Sequence, residues 1–252
     1  MSSTKRIIPC LDFRGGSTVK GINFVNIKTV GDPVELAAIY AEMGADELVF
    51  LDITATNEKR KTLSEYVTRI AQRINIPFAV GGGIGSIDDV SHILQCGADK
   101  VSINTAAVLN PNLITDAAKQ FGSQRIVLAI DTDFVDNDWY VYINGGEVKT
   151  EIKAVDWAKQ GVDLGAGEIL LTSIQHDGTK DGYALDITRA VAEAVQAPVV
   201  ASGGAGTMQH FLDAFCEGKA DAALAASVFH FSEISIPELK KYLKENGINV
   251  RI

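Results

Sequence analysis

The chain repeats itself at half its length. PFAVGGGIG from Pro77 returns as PVVASGGAG from Pro198, and ELVFLD from Glu47 returns as EILLTS from Glu168, each 121 residues further on. GADKVSINTAAV resembles KADAALAASVF at nearly the same offset, and IPCLD and VLAID place Asp12 and Asp131 119 residues apart. Whatever one half folds into, the other half must fold into again.

Each half contains the same alternation. Eight short apolar runs read as strands: Arg6–Asp12, Glu47–Asp52, Pro77–Val80, Lys100–Asn104, Arg125–Asp131, Glu168–Ser173, Pro198–Ser202 and Asp221–Ala226. Helical patterns such as PVELAAIYAEMG, LSEYVTRIAQRI and MQHFLDAFCEG lie between them. Asp32-Pro33 marks one sharp helix start, with Asp as cap, Pro at the first position and Glu35 placed to close a capping box. Near-continuous apolar strands separated by helices argue for a parallel sheet covered by helices. Four βα units used twice give the fold class: α/β, an eight-stranded parallel βα (TIM) barrel built from two half-barrel repeats. The expected organisation is one domain over 1–252, with half-barrels at about 1–122 and 123–252. An open doubly wound sheet is the alternative, but it offers no reason for a half-length repeat.

Composition narrows the partners. With 23 Lys and Arg against 32 Asp and Glu, a basic groove for nucleic acid or anionic lipid is not expected. A local phosphate site is compatible with that charge, because backbone N–H groups bind anions without net positive charge. MSSTKRIIPCLDF has no signal-peptide pattern, and no apolar run is long enough for a bilayer. Cys10, Cys96 and Cys216 form neither a disulfide framework nor a metal-ligand pattern, so a cytoplasmic setting is expected.

Two segments exceed ordinary loop length, and both follow strands, which puts them on the C-terminal face where barrel active sites are built. Phe13–Gly31 reads as a polar, glycine-containing loop. After the fifth strand, YVYINGGEVKT reads as a hairpin turning at Asn144-Gly145.

The glycine clusters close the third strand at Gly81, Gly82 and Gly83, and the seventh at Gly203 and Gly204. Missing side chains let a ligand approach the backbone, and the helix starts that follow offer unpaired N–H donors. The fourth and eighth strands end in Asn104-Thr105 and Ala226-Ser227, small or hydroxyl residues suited to phosphate oxygens. Two such sites across the mouth fit a ligand with a phosphate at each end. The competing reading makes these glycines tight turns and nothing more. On the phosphate reading, valine at Gly82 or Gly203 intrudes on the ligand and leaves the fold largely intact.

Asp12 and Asp131 occupy matching ends of the first and fifth strands. Paired carboxylates divide acid and base work when their surroundings separate their pKa values. Asp52, Asp133 and Asp177 also lie near strand ends, so the matched repeat position is what singles out the pair. His92, His176, His210 and His230 show no metal-binding spacing, and no metal site is expected. Strand parity makes a further prediction. Counting back in twos from Asp12, Asn104 and Thr172 leads to Arg6, Lys100 and Glu168, and Glu47 is the repeat mate of Glu168. Four charges, two of each sign, should converge on the axis at the N-terminal face.

IPCLD, VKGINF, GDPVELA, ELVFLDITAT, VGGGI, ADKVSINTAAV, GAGEILLTSI, DGTKDGY, ASGGAG and ADAALAASVFHF run in order along the whole chain. Together they resemble the cyclase subunit of imidazole glycerol phosphate synthase, from histidine biosynthesis. The resemblance implies a barrel evolved from two half-barrels. It implies ammonia supplied by a glutaminase subunit docked at the N-terminal face, in a heterodimer. The reaction implied converts phosphoribulosylformimino-aminoimidazole-carboxamide ribonucleotide, which carries two phosphates, into imidazole glycerol phosphate and aminoimidazole-carboxamide ribotide, with no cofactor. The family's catalytic aspartates fall on Asp12 and Asp131, and its ammonia gate on Arg6, Glu47, Lys100 and Glu168. Completing the candidate binding set are Lys20, expected to cover substrate from the first long segment, and Thr172, Asp177 and Gly178 around the end of the sixth strand. Two departures stand out. Gly15-Gly16-Ser17 replaces the usual Asp-Gly or Asn-Gly followed by Arg, and Ala184-Leu185 intervene before Asp186. The sister isomerase of the same pathway is the nearest rival, and a catalytically silent phosphosugar-binding barrel is a rival of another class.

Overall fold

The eight apolar runs become a closed ring of parallel strands. The computed structural model describes residues 4–14, 17–22, 25–53 and 57–252. Its strands are β1 (Arg6–Arg14), β2 (Ser17–Ile22), β3 (Val25–Gly31), β4 (Leu48–Asp52), β5 (Phe78–Gly81), β6 (Lys100–Ile103), β7 (Ile126–Val135), β8 (Asp138–Ile143), β9 (Val148–Lys153), β10 (Glu168–Ser173), β11 (Val199–Ser202) and β12 (Ala222–Ala225). The helices are α1 (Pro33–Glu42), α2 (Asn57–Arg73), α3 (Ile87–Gln95), α4 (Thr105–Leu109), α5 (Asn112–Phe121), α6 (Ala154–Asp163), α7 (Leu185–Ala194), α8 (Met208–Cys216), α9 (Ser227–His230) and α10 (Ile236–Glu245). The ring runs β1-β4-β5-β6-β7-β10-β11-β12, every neighbour parallel, and β12 returns to β1. An open sheet is thereby excluded.

The apolar character of the strands follows from burial on both faces. Ile7, Leu11, Phe50 and Val80 point outward into the layer beneath the helices. Ile8, Cys10, Val49, Ala79, Val127, Leu170, Val200 and Leu224 point inward and fill the barrel axis with a second, separate apolar core.

The reading of Phe13–Gly31 as a loop is corrected. β1 continues past the barrel and pairs antiparallel with β2 (Asp12 opposite Val19, Arg14 opposite Ser17), and β2 pairs antiparallel with β3. Its glycines masked a β-branched content that includes Thr18, Val19, Ile22, Val25 and Ile27, which suits strands. Gly15 and Gly16 lie outside the described residues. The same device follows the fifth barrel strand, where β7 overhangs to pair with β8 and β8 with β9. The turn expected at Asn144-Gly145 is there, with φ of 57° and 69°, the left-handed geometry that Asn-Gly tolerates best.

Helix starts follow local chemistry. The Asp32 carboxylate accepts from Val34 and Glu35 N–H, with Pro33 at the first position. It takes both donors itself, whereas the reciprocal capping box is made at α8, between Thr207 and His210. At α7, Ala184 is the N-cap and supplies no side-chain acceptor. Asp186 is turned to another task and accepts from Trp139 Nε1 at 3.2 Å.

Candidate active site

A cavity of about 820 Å³ opens at the C-terminal mouth of the barrel. Asp12 and Asp131 both line it, from β1 and β7. Asp12 is buried, and Cys10 Sγ, one inward position below, donates to its Oδ1 at 3.5 Å. Asp131 keeps an opening to the mouth but is otherwise enclosed. Its Oδ2 accepts from Asn104 Nδ2 at 2.7 Å. Burial pushes the Asp131 carboxyl up to about 6, the Asp177 charge adds to that push, and the Asn104 hydrogen bond opposes it. The loss of hydration disfavours the charged form more than one amide donor restores it.

Gly82, Gly83, Asn104, Thr105, Thr172, Asp177, Gly178, Gly203, Gly204, Ala226 and Ser227 all line the same cavity. The backbone of Lys20 lies in β2, and its side chain lies outside the described residues. Asn104 and Ala226 are the N-caps of α4 and α9. They share an unusual backbone (φ −119°, ψ −99° and φ −120°, ψ −74°), and neither helix has a side-chain cap. The two halves thus present matching uncapped turns across the mouth.

The expectation that valine at Gly82 or Gly203 would spare the fold is corrected. Gly82 has φ +96°, and a Cβ there would meet Asp52 O at 2.1 Å; Gly203 has φ +89°, and a Cβ would meet Ser173 O at 2.7 Å. Each strand end turns so tightly over its neighbour's carbonyl that only glycine fits. These glycines are required by the turn itself, and a substitution there tests the fold before it tests a ligand.

Several lining residues are not among the site residues chosen from the sequence, although Asp52 and the Asn144-Gly145 turn are noted there near this face. Arg14, Asp52, Ser202 and the hairpin tip at Asn144, Gly145 and Glu147 all face the cavity. Arg14 lies two residues beyond Asp12, so parity counted forward finds it. Ser202 is the 121-residue mate of Gly81. The hairpin is expected on this face, but the reach of its tip into the cavity depends on a contact that the sequence does not show: Asn144 N–H donates to Thr105 Oγ1 at 2.9 Å.

At the opposite end, the four charges meet. Arg6 donates to Glu47 at 2.5 Å and also to Glu168. Lys100 Nζ lies 2.8 Å from Glu47 and 2.7 Å from Glu168. Each cation touches both carboxylates, so the ring is closed. Burial works against the Arg6 charge, but Glu168 and Glu47 together outweigh it and raise its pKa. Glu47 is pushed up by burial and by Glu168, against Lys100 and Arg6. Among the described residues, no group of three or more His, Cys, Asp or Glu side chains is placed to hold a metal ion. No described helix is long and apolar enough to cross a membrane.

A closed βα barrel whose C-terminal mouth gathers two repeat-related aspartates around one cavity is the architecture of a barrel enzyme acting on a small molecule. The chain belongs to the histidine biosynthesis protein family, which matches residues 6–235. It is 60% identical to the imidazole glycerol phosphate synthase subunit HisF of Parabacteroides distasonis over 248 residues, 98% of this chain and 99% of that one. It is 60% identical over 249 residues to the protein of the same name from Hydrogenobaculum sp., and 59% identical over 248 residues to that of Phocaeicola vulgatus, with the same coverage in both cases. The resemblance read from the sequence is therefore a true relationship, and the chain is an enzyme of histidine biosynthesis.

Proposed function

We propose that the chain is the cyclase subunit of an imidazole glycerol phosphate synthase. On this reading it uses ammonia to convert phosphoribulosylformimino-aminoimidazole-carboxamide ribonucleotide into imidazole glycerol phosphate and aminoimidazole-carboxamide ribotide. The observation that carries the reading is the pair of aspartates sharing one cavity in different surroundings, Asp12 beside a thiol and Asp131 beside an amide and a second carboxylate. Closing an imidazole ring moves protons on and off nitrogen and oxygen. A carboxyl raised to about 6 lies close enough to neutral pH to give and take them. Asp12 and Asp131 are the general acid–base pair, and the matching turns at Gly82-Gly83 with Asn104-Thr105 and at Gly203-Gly204 with Ala226-Ser227 hold the two phosphates. Thr172, Asp177 and Gly178 border the substrate, and Lys20 covers it from β2.

Ammonia comes from a glutaminase subunit at the N-terminal face of the barrel. It passes the ring of Arg6, Glu47, Lys100 and Glu168 and then the apolar interior around Ile8, Val49 and Leu170. The whole chain, 1–252, acts as one domain of two half-barrels divided near 122, in the cytoplasm.

The test is incubation with the ribonucleotide and ammonium salt at mildly alkaline pH, with both products measured. Asp12→Asn and Asp131→Asn should each keep substrate binding and lose turnover by roughly 10²–10⁴-fold. Near wild-type turnover in either variant removes that residue from the pair. A rearranged product formed without ammonia would assign the chain to the sister isomerase instead.

A further inference from the structure

We infer that Arg14 is a phosphate ligand at the cavity mouth. Among the described residues, five carboxylate side chains line the cavity: Asp12, Asp52, Asp131, Glu147 and Asp177. Among the described residues, one cationic side chain lines it, and that is Arg14. The substrate proposed above carries two phosphates, so in this cavity it approaches like charge. Backbone N–H groups supply only partial positive charge, whereas a guanidinium supplies a whole one in a fork that matches two phosphate oxygens.

Three further observations fit the role. Arg14 shares the inward face of β1 with Asp12, two residues on, which places it about 7 Å nearer the mouth than the acid–base pair. Its backbone is held on both sides: Arg14 stands opposite Ser17 in β2, and Ile53 N–H donates to Phe13 O at 3.1 Å. The cation is therefore carried by a paired strand and not by a free loop. Lastly, Arg14 makes no ion pair with any described residue, although the same cavity holds five carboxylates. Among the described residues nothing neutralises its charge, which is exposed at the opening.

The inference rests on the bisphosphate reading, so two measurements are paired. In ammonium-driven turnover, Arg14→Ala should raise KM for the ribonucleotide about tenfold, the scale of one charge-assisted hydrogen bond, and leave kcat within about twofold. Arg14→Lys should recover part of that loss, as a point charge without the fork. Independently, inorganic phosphate should raise the melting temperature of the wild type more than that of Arg14→Ala, the two starting from the same unliganded value. A KM and a phosphate response both equal to wild type overturn the inference, as does a fall in kcat at unchanged KM. If the wild type itself fails to turn over, the substrate reading falls, and the phosphate response alone decides the role of Arg14.

Discussion

Asp131 shows how a buried carboxyl at the cavity costs the fold that carries it. Its carboxyl titrates near 6 in the folded chain, against about 3.9 in an unfolded one. The folded state therefore binds this proton more tightly than the unfolded state. The stabilisation is complete below about pH 4, falls as pH rises through 6, and is gone above it. Asp131→Asn keeps an acceptor for Asn104 and removes the buried charge. We expect it to raise the melting temperature by several degrees at pH 8 and to change it little at pH 4, with the gain appearing between those values. Equal melting temperatures at both pH values would show that Asp131 is better hydrated than its enclosure indicates. The residue was legible in the sequence because the repeat fixes it opposite Asp12. Its raised pKa was not, because that depends on the company of Asn104 and Asp177, which only the closed ring brings together.

At the scale of elements, the repeat is finer than a half. Asp46, Asp99 and Asp221 each precede an even-numbered barrel strand. Each carboxylate accepts the N–H of a residue on the preceding barrel strand, from Ile7 at 2.8 Å, Phe78 at 3.0 Å and Val199 at 3.1 Å. The aspartate's own N–H returns to the carbonyl of that same residue. The fourth equivalent position is Gly167, whose N–H still reaches Ile126 O at 2.9 Å. There the 3₁₀ turn Ser123–Arg125 takes over, with Ser123 O accepting from Ile126 N–H, and a Cβ at position 167 would meet that oxygen at 2.2 Å. The exception and its substitute occupy the same space. The words GAD, GAD, GAG and KAD were visible in the sequence, but the antiparallel extensions make their spacing unequal and hide the period. The same extensions explain why Phe13–Gly31 read as loop: β2 and β3 pair antiparallel between two parallel barrel strands, outside the strand–helix alternation that marks the eight barrel strands. Asp221→Ala should orphan Val199 N–H and cost about 1–2 kcal/mol, a fall of several degrees in melting temperature. Asp221→Asn, which keeps an acceptor, should recover most of it. An unchanged melting temperature in the alanine variant would mean that the carboxylate clamps nothing.

Across the whole molecule, the axis is layered: a closed ionic ring at the bottom, an apolar middle, and a carboxylate-rich cavity at the top. Strand β1 samples every layer through Arg6, Ile8, Cys10, Asp12 and Arg14, as β10 does through Glu168, Leu170 and Thr172, an order that strand parity makes legible in the sequence, since every second residue of a strand faces the axis. The ring admits two explanations that predict different results. As a brace, four mutually paired charges at a barrel end offset much of their own desolvation, and removing one leaves the others poorly paired. As a gate, the ring stands between an ammonia source beneath and the cavity above, and its opening governs delivery. Lys100→Ala tests both, since it leaves Glu47 and Glu168 facing each other with Arg6 as their shared cation. A brace affects every assay in proportion to lost stability. A gate affects only ammonia arriving from below, because ammonium salt in solution also reaches the cavity through the open mouth. With the glutaminase subunit bound, we expect Lys100→Ala to change glutamine-driven turnover several-fold more than ammonium-driven turnover, measured well below the variant's melting temperature. Equal changes in the two assays would leave the ring as a brace and send the search for a passage elsewhere in the barrel wall.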